Sequence, residues 1–458
     1  MGISQRWAFS PAQIDLLDQR PELWSGGGFL KDRSPTSGIL TAVRGVRIGG
    51  PRKAAPTVRT AGPLTATFVR DLEIVAPNFT RRLSGVTSTL ERVLPILARH
   101  ARIAALGPGL APSTSRMSFL DLPVLWRKPA FGEYRIWHAR RNIEMLAGIV
   151  LRDLLGFPLR LVFTSASQRH HTRWTRSLIG RMDALIATSN KTATYLQHPA
   201  TVVGHGINAD AFHPAQDRAA ARAELGLPGS RLVGCFGRIR PGKGSDVFVD
   251  AMLRVLASRP DVGAVLVGRA TFKHSAFMAV LRGKIKAAGL NERFLILPEV
   301  ATSEMPRWYR VLDVFVAPQR WEGFGVTPLE AMASGLPVVA TRVGAFPEIV
   351  VDETGILVEP SDVAALAAAT ARLLDSPERA VAIGVAGRAR VMAEFSIETE
   401  AAKLLDVYRA LQSPKSTLER ERALEGLPHS TSEYSRVGTG VFPNDLSFAN
   451  VSTRPIGS

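Results

Sequence analysis

Two strings in the C-terminal half of this 458-residue chain hold residue types whose spacing could do chemistry. In Gly237-Arg238-Ile239-Arg240-Pro241-Gly242-Lys243-Gly244 the glycines let the backbone approach a ligand closely, and Arg238 and Lys243 add two formal positive charges. A helix predicted to open at Ser245 would turn its free N–H groups the same way, so the loop suits a diphosphate. It nearly reproduces the phosphate loop of nucleotide hydrolases, but Gly244 stands where that loop needs a magnesium-binding hydroxyl, and the strand ending at Gly268-Arg269 offers no metal-binding Asp. That reading is excluded. In the second string, Glu322-Gly323-Phe324-Gly325 leads into a helix bearing Glu330, Ala331 and Met332, with Glu322 and Glu330 eight residues apart. Carboxylates accept hydrogen bonds from hydroxyl-rich ligands and repel phosphate. Cations and N–H groups for a diphosphate, with carboxylates for a sugar on either side, describe a nucleotide-sugar site.

Such loops need strands to hold them. Short β-branched runs alternate with amphipathic stretches, the pattern of parallel sheets with helical crossovers. The front half predicts strands at Leu72–Ala76, Ile103–Leu106, Arg135–His138, Arg160–Thr164, Ala184–Thr188 and Thr201–Val203. The back half repeats the scheme at Leu232–Phe236, Gly263–Val267, Phe294–Leu297, Val311–Ala317, Pro337–Ala340 and Gly355–Val358. The expected fold is therefore α/β, with two Rossmann-like doubly wound lobes at 69–212 and 231–412, a linker at 213–230, and a ligand site in the cleft between lobes. The last helix of the second lobe is a candidate to cross back to the first. Residues 1–68 read as a flexible extension and 413–458 as a polar, disordered tail.

Net charge is +17, distributed as +6 over residues 1–70, +9 over 71–230 and +2 over 231–458. A basic front lobe facing a nearly neutral back lobe points to an anionic partner, whether nucleic acid, a membrane surface or an acidic substrate. The one cysteine, Cys235, excludes an intramolecular disulfide and a Cys-based zinc site, and reads as a small buried strand residue. No uninterrupted apolar run reaches the ~18 residues of a membrane span, and no secretory signal is visible.

The motifs Gly237-Arg238 with Lys243-Gly244, Glu322-Gly323-Phe324-Gly325 with Glu330-Ala331-Met332, Gly335-Leu336-Pro337-Val338-Val339 and Pro347-Glu348 resemble family four of the glycosyltransferases, a retaining group with the GT-B fold, over about Asp71 to Gln412. The resemblance implies that Arg238 and Lys243 hold the donor diphosphate and support its departure. It further implies that Glu330 binds the ribose hydroxyls, that Glu322 contacts the donor sugar, and that the N–H groups of Gly323, Phe324 and Gly325 face the sugar or its phosphate. Gly85, in the loop after the first strand, would lie beneath the donor. The expected catalytic set is Arg238, Lys243 and Glu322. No cofactor or metal is expected, since no two Asp residues flank a single position as in the metal site of the other major transferase fold.

In the front lobe, basic groups collect at strand ends: Arg81 and Arg82 after the first strand, then His138, Arg140 and Arg141, then Arg169, His170 and His171. All of these except His171 are the candidate acceptor contacts. Where family four often has a histidine two residues after the strand threonine, this chain has Ala166, so His170, His171 or His138 would have to substitute. Within the family, Arg81-Arg82-Leu83-Ser84-Gly85-Val86-Thr87-Ser88 and Trp137-His138-Ala139-Arg140-Arg141-Asn142 are similar to the lipopolysaccharide-core mannosyltransferases of rhizobia and relatives. That similarity implies GDP-mannose as donor, a Kdo-bearing lipid A acceptor, and a peripheral place on the cytoplasmic face of the inner membrane. Rival readings are another donor, such as UDP-glucose or UDP-galactose, or a basic nucleic-acid-binding protein whose affinity survives loss of Glu322.

Overall fold

The computed structural model describes residues 66–412 except 82–84, 111–113, 131 and 228–229. The expected extension, up to residue 65, and the expected tail lie outside the described residues, as does Arg82. Seven strands form the first sheet: β1 (Ile74–Pro77), β2 (Ile103–Leu106), β3 (Arg116–Met117), β4 (Arg135–Ala139), β5 (Leu159–Ser165), β6 (Ala184–Ala187) and β7 (Thr201–Val202). Six form the second: β8 (Arg231–Phe236), β9 (Val262–Val267), β10 (Phe294–Leu297), β11 (Val314–Ala317), β12 (Val338–Thr341) and β13 (Gly355–Val358). All pairings between strands are parallel, in the orders β3-β2-β1-β4-β5-β6-β7 and β10-β9-β8-β11-β12-β13. Both sheets are thus doubly wound, each reversing direction beside its first strand, where the loops that follow open a crevice for ligands.

Helices on both faces explain why the strands are apolar throughout rather than alternating. Ile74, Ala76, Ile103, Ala105, Ile136 and Val162 face one layer of the first lobe, and Val75, Ala104, Leu106, Trp137, Leu161 and Phe163 face the other. Cys235 is a buried member of β8, its thiol pushed up to about 12 by burial. The strand reading differs most in two places. Val311 and Leu312, fully buried, belong to the turn after the helix Met305–Arg310, so β11 starts only at Val314. The two-residue edge strand β3 was too short to leave a pattern.

The chain passes between the sheets twice, side by side. Ile207 N–H donates to the Phe395 carbonyl (2.8 Å), and Ile397 N–H donates to the Ile207 carbonyl (3.0 Å). Gly206 is required there, because a Cβ would stand 2.4 Å from the Ser396 carbonyl oxygen. Beyond this crossing, the helix Ile397–Gln412 contributes Ala401, Leu404, Leu405 and Tyr408 to the core under the first sheet. Within the stretch expected as a linker, Ala221, Leu225 and Leu227 pack against the core of the second lobe, and Arg218 and Arg222 pair with Asp313.

Candidate active site

The loop after β8 turns at Gly237 (φ 137°) and again at Gly244 (φ 66°), which caps the helix Ser245–Ala257. A side chain at Gly244 would drive its Cβ to 1.8 Å from the Pro318 carbonyl oxygen, so the glycine lets this loop lie against the one after β11. Arg320, on the latter loop, clamps the former by donating to the Pro241 carbonyl (2.7 Å) and to both oxygens of Asp246 (2.7 and 2.8 Å). Loop contact brings Lys243 onto Glu322, their ammonium and carboxylate in direct ion pairing. Arg238 is exposed. Charges far apart in sequence thereby share one crevice at the ends of neighbouring strands.

Glu322 also accepts from the N–H of Gly323 (3.1 Å), and Gly325 has the left-handed φ of 79°. Any Cβ at Gly325 would meet the Phe346 ring at 2.5 Å. This glycine turn touches the first lobe directly: Gln168 Nε2 donates to the Gly323 carbonyl (2.8 Å), and a Cβ on Gly323 would lie 2.7 Å from the Ala166 carbonyl oxygen. Above it, the Arg169 guanidinium lies 5.1 Å from the Trp321 ring centre. Phe324 meets His205 edge-on at 5.0 Å, and His205 Nδ1 is 3.2 Å from Glu400.

Glu330, on the helix Thr327–Ala333, is buried and held across the lobe junction. Arg92, on the first-lobe helix Gly85–Leu97, pairs with Glu330 Oε1 at 3.1 Å, and the Tyr309 hydroxyl donates to Oε2 at 2.8 Å. Burial raises the carboxyl above its ordinary range, against the opposing pull of Arg92 and Tyr309. The same burial, with Glu330 beside it, holds the Tyr309 hydroxyl well above its usual value. Gly85 opens the Arg92 helix with nothing within 4 Å of where its Cβ would be.

The front-lobe cations separate into two groups. Arg81, Arg169 and His170 are exposed, His170 lying edge-on to Tyr195 at 5.3 Å. Arg140, Arg141 and His138 are engaged internally, and His171 is half-buried with no hydrogen bond to its Nε2 among the described residues. Arg141 donates to Asn78 Oδ1 (2.9 Å), Glu144 Oε1 (2.7 Å) and Thr87 Oγ1 (3.0 Å), tying the loop after β1 to the helix that follows it. Arg140 gives its N–H to Glu144 (2.8 Å) and one guanidinium N–H to the His138 carbonyl (3.3 Å). His138 does not present itself to an acceptor: it is 1% exposed, with Nδ1 at 2.6 Å from the Tyr408 hydroxyl and Nε2 at 2.6 Å from Thr164 Oγ1. Burial, reinforced by Arg140, holds its ring well below the ordinary histidine value. Its expected acceptor role, and its place as a substitute for the histidine replaced by Ala166, give way to a core hydrogen-bond network.

Arg92, Tyr309, Gln168, Glu144 and His205 were not singled out from the sequence. Arg92 and Tyr309 looked like ordinary helix positions, and only their approach to Glu330 reveals them. His205 had a signal, a histidine between two glycines at the end of a strand. Among the described residues, no group of three or more His, Cys, Asp or Glu side chains could hold a metal ion, and no helix is long and apolar enough to cross a membrane.

The family described as "Glycosyl transferases group 1" matches residues 230–376, which include the loops after β8 and β11. Over 348 residues the chain is 51% identical to the lipopolysaccharide core biosynthesis mannosyltransferase LpsB of Rhizobium meliloti, covering 75% of this chain and 99% of that one. It is 48% identical to LpcC of Rhizobium leguminosarum bv. viciae, of the same description, covering 75% and 97%. Among solved structures, Anabaena Alr3699/HepE in complex with UDP and glucose shares the fold, with a TM-score of 0.63 at 20% identity over 74% of this chain and all of that one.

Proposed function

The chain belongs to family four of the glycosyltransferases, enzymes of the GT-B fold, and we propose that the sugar it transfers is mannose, taken with retention from GDP-mannose and placed on the Kdo region of a lipid A inner core. The observation that carries this reading is the 51% identity to a lipopolysaccharide-core mannosyltransferase along 99% of that relative, which spans both lobes rather than the donor lobe alone.

In the proposed reaction Arg238 and Lys243 meet the diphosphate, and charge developing on it as the glycosidic bond breaks is stabilised by both cations without a metal. Glu322 receives hydroxyls of the donor sugar. Because it already holds Lys243, donor binding exchanges one ion pair for two ligand contacts, a phosphate on the lysine and hydroxyls on the carboxylate. Glu330 takes the ribose hydroxyls beside Arg92 and Tyr309. The departing phosphate accepts the acceptor's proton on the face it leaves, so no protein base is needed at Ala166. Arg81, Arg82, Arg140, Arg141, Arg169 and His170 form the basic approach for an acceptor bearing carboxylates and phosphates. Arg141 acts there by shaping the loop after β1. The enzyme would work peripherally on the cytoplasmic face of the inner membrane, where that acceptor is exposed.

The test is a donor panel: purified protein with GDP-mannose, UDP-glucose or UDP-galactose and a Kdo-lipid acceptor, following nucleotide release and the anomeric configuration of the product. GDP release with an α-mannoside product is expected. Product from a UDP-sugar, with none from GDP-mannose, overturns the donor assignment.

A further inference from the structure

The segment Phe119–Trp126, after the edge strand β3, is a 3-10 helix that exposes its large apolar side chains: Leu120 is 89% exposed, Trp126 63% and Phe119 52%. It is not a frayed loop. Ser118 and Asp121 close a capping box at its start, and the buried guanidinium of Arg135 donates to the carbonyls of Leu125 and Arg127 at its end and to those of Leu72 and Arg70 behind it. Loss of solvent brings the Arg135 pKa down to about 10, yet four carbonyls hold the side chain in place. A rigid backbone therefore presents apolar groups to water, over about 12 Å of helix axis between Leu120 and Trp126.

The surface continues in two directions. Trp126 stacks flat on Phe157 (5.9 Å between centres, 6° between planes), which places the exposed Leu154 and Leu155, three and two residues before Phe157, beside it. At the other end Phe119 lies 5.7 Å from Phe79, in the loop after β1 that also carries Arg81. Around this stripe stand Arg116, Arg127 and Lys128, all exposed and with no ion pair seen among the described residues. The one acidic residue from Thr114 to Lys128 is Asp121, already bound to the Ser118 N–H at 2.8 Å.

Contiguous exposed apolar side chains on a fixed backbone mark a docking surface rather than scattered surface leucines. Tryptophan and leucine tips within a ring of exposed cations are complementary to a surface that is apolar below and negative at its boundary, an anionic lipid bilayer. We propose that Phe119, Leu120, Trp126, Leu154 and Leu155 insert into the headgroup region of such a bilayer, while Arg116, Arg127 and Lys128 contact its anionic headgroups. The proposal deepens the glycolipid-acceptor reading and rests on it for the membrane's relevance. Because Phe119 adjoins the loop carrying Arg81, docking on this face would bring the acceptor side of the crevice towards the lipid surface.

The experiment is sedimentation of the full chain with phosphatidylglycerol/phosphatidylethanolamine vesicles containing no acceptor, alongside mannose transfer to a water-soluble Kdo acceptor. Arg127→Gln with Lys128→Gln should lower vesicle affinity about 30-fold at low salt. Leu120→Ser with Leu154→Ser should lower it about tenfold at any salt. Both variants should retain transfer to the soluble acceptor, and the charge variant carries the test should the apolar one misfold. Vesicle binding equal to wild type in both variants, or equal binding to purely zwitterionic vesicles, overturns the proposal. So does a change of oligomeric state in the variants without a change in vesicle binding, which would assign the face to a second copy. If the wild type binds vesicles but transfers no mannose, the functional reading fails while the docking face stands.

Discussion

The loops after β1 and β8 occupy the same topological point in their sheets, yet they hold their charges in opposite ways. After β1, the buried Asn78 accepts from Arg141 and Phe79 N–H donates to the buried Glu144, both partners coming from the segment after β4, so these ionic and polar bonds are used up in fixing the shape of the loop while its own Arg81 stays exposed. After β8 the shape is fixed by glycines and by Arg320, and the charged groups Arg238, Lys243 and Glu322 stay at least partly open to solvent. One fold position thus serves two purposes. Where charges shape the backbone, removing one should cost stability; where glycine shapes it, removing a charge should cost chemistry.

The sharpest way to break that comparison is Arg238→Ala, expected to lower turnover about 10²- to 10³-fold with no change in melting temperature, checked by steady-state kinetics and calorimetry. Should the fold soften in step with activity, the two loops do not differ as described. The converse is Glu144→Leu, which strands Arg141 and leaves three donors without their carboxylate. Denaturant unfolding should show a loss of about 3 kcal/mol. Donor KM should be nearly unchanged at temperatures where the variant remains folded.

Arg92→Ala sharpens the comparison at the lobe junction. Without its partner, Glu330 keeps the burial that raises its pKa and loses the main influence opposing it, so the carboxyl protonates at higher pH than in the wild type. Donor KM should rise about tenfold, the loss of roughly one charge-assisted hydrogen bond, and should climb further as pH falls. Arg92→Lys should restore part of it. A pH-independent KM defect would remove Glu330 from donor recognition.

The smallest effect concerns His138. Its folded-state pKa lies well below the ordinary 6.5, so the unfolded chain takes up the proton first as pH falls. Stability is full above about 6.5 and declines below it, by at most about 1.4 kcal/mol per pH unit from this one group. His138→Gln should flatten the decline in melting temperature between pH 7 and pH 5. An unchanged slope would place the acid sensitivity elsewhere.

Much of the architecture could be read in advance because a doubly covered parallel strand is apolar throughout and bounded by turn residues. Ile103–Leu106, Phe294–Leu297 and Gly355–Val358 fall where that pattern places them. The pattern misleads where burial and strand part company, as at Val311 and Leu312, buried in a turn. The meeting of the two glycine loops was also legible: Lys243 and Glu322 are 79 residues apart, but each sits in a loop whose glycines announce a close backbone approach. The burial of the front-lobe cations was not. A basic residue at a strand end looks the same whether it faces outwards, as Arg81 does, or turns into the fold like Arg141 and His138.

By itself, then, the sequence determined local matters: which stretches form strands, where glycine must turn the chain, and which loops combine glycines with charged side chains. Each depends on neighbours a few positions away, through periodicity, backbone freedom and side-chain type. Tertiary structure alone decided which charges are open and which are consumed. The pairing of Arg92 with Glu330, the burial of His138 against Tyr408 and the seating of Gly323 on Ala166 join segments more than 150 residues apart. Whether a charge meets solvent or a partner is set by the distance and dielectric that the folded chain creates, and no local spacing encodes either.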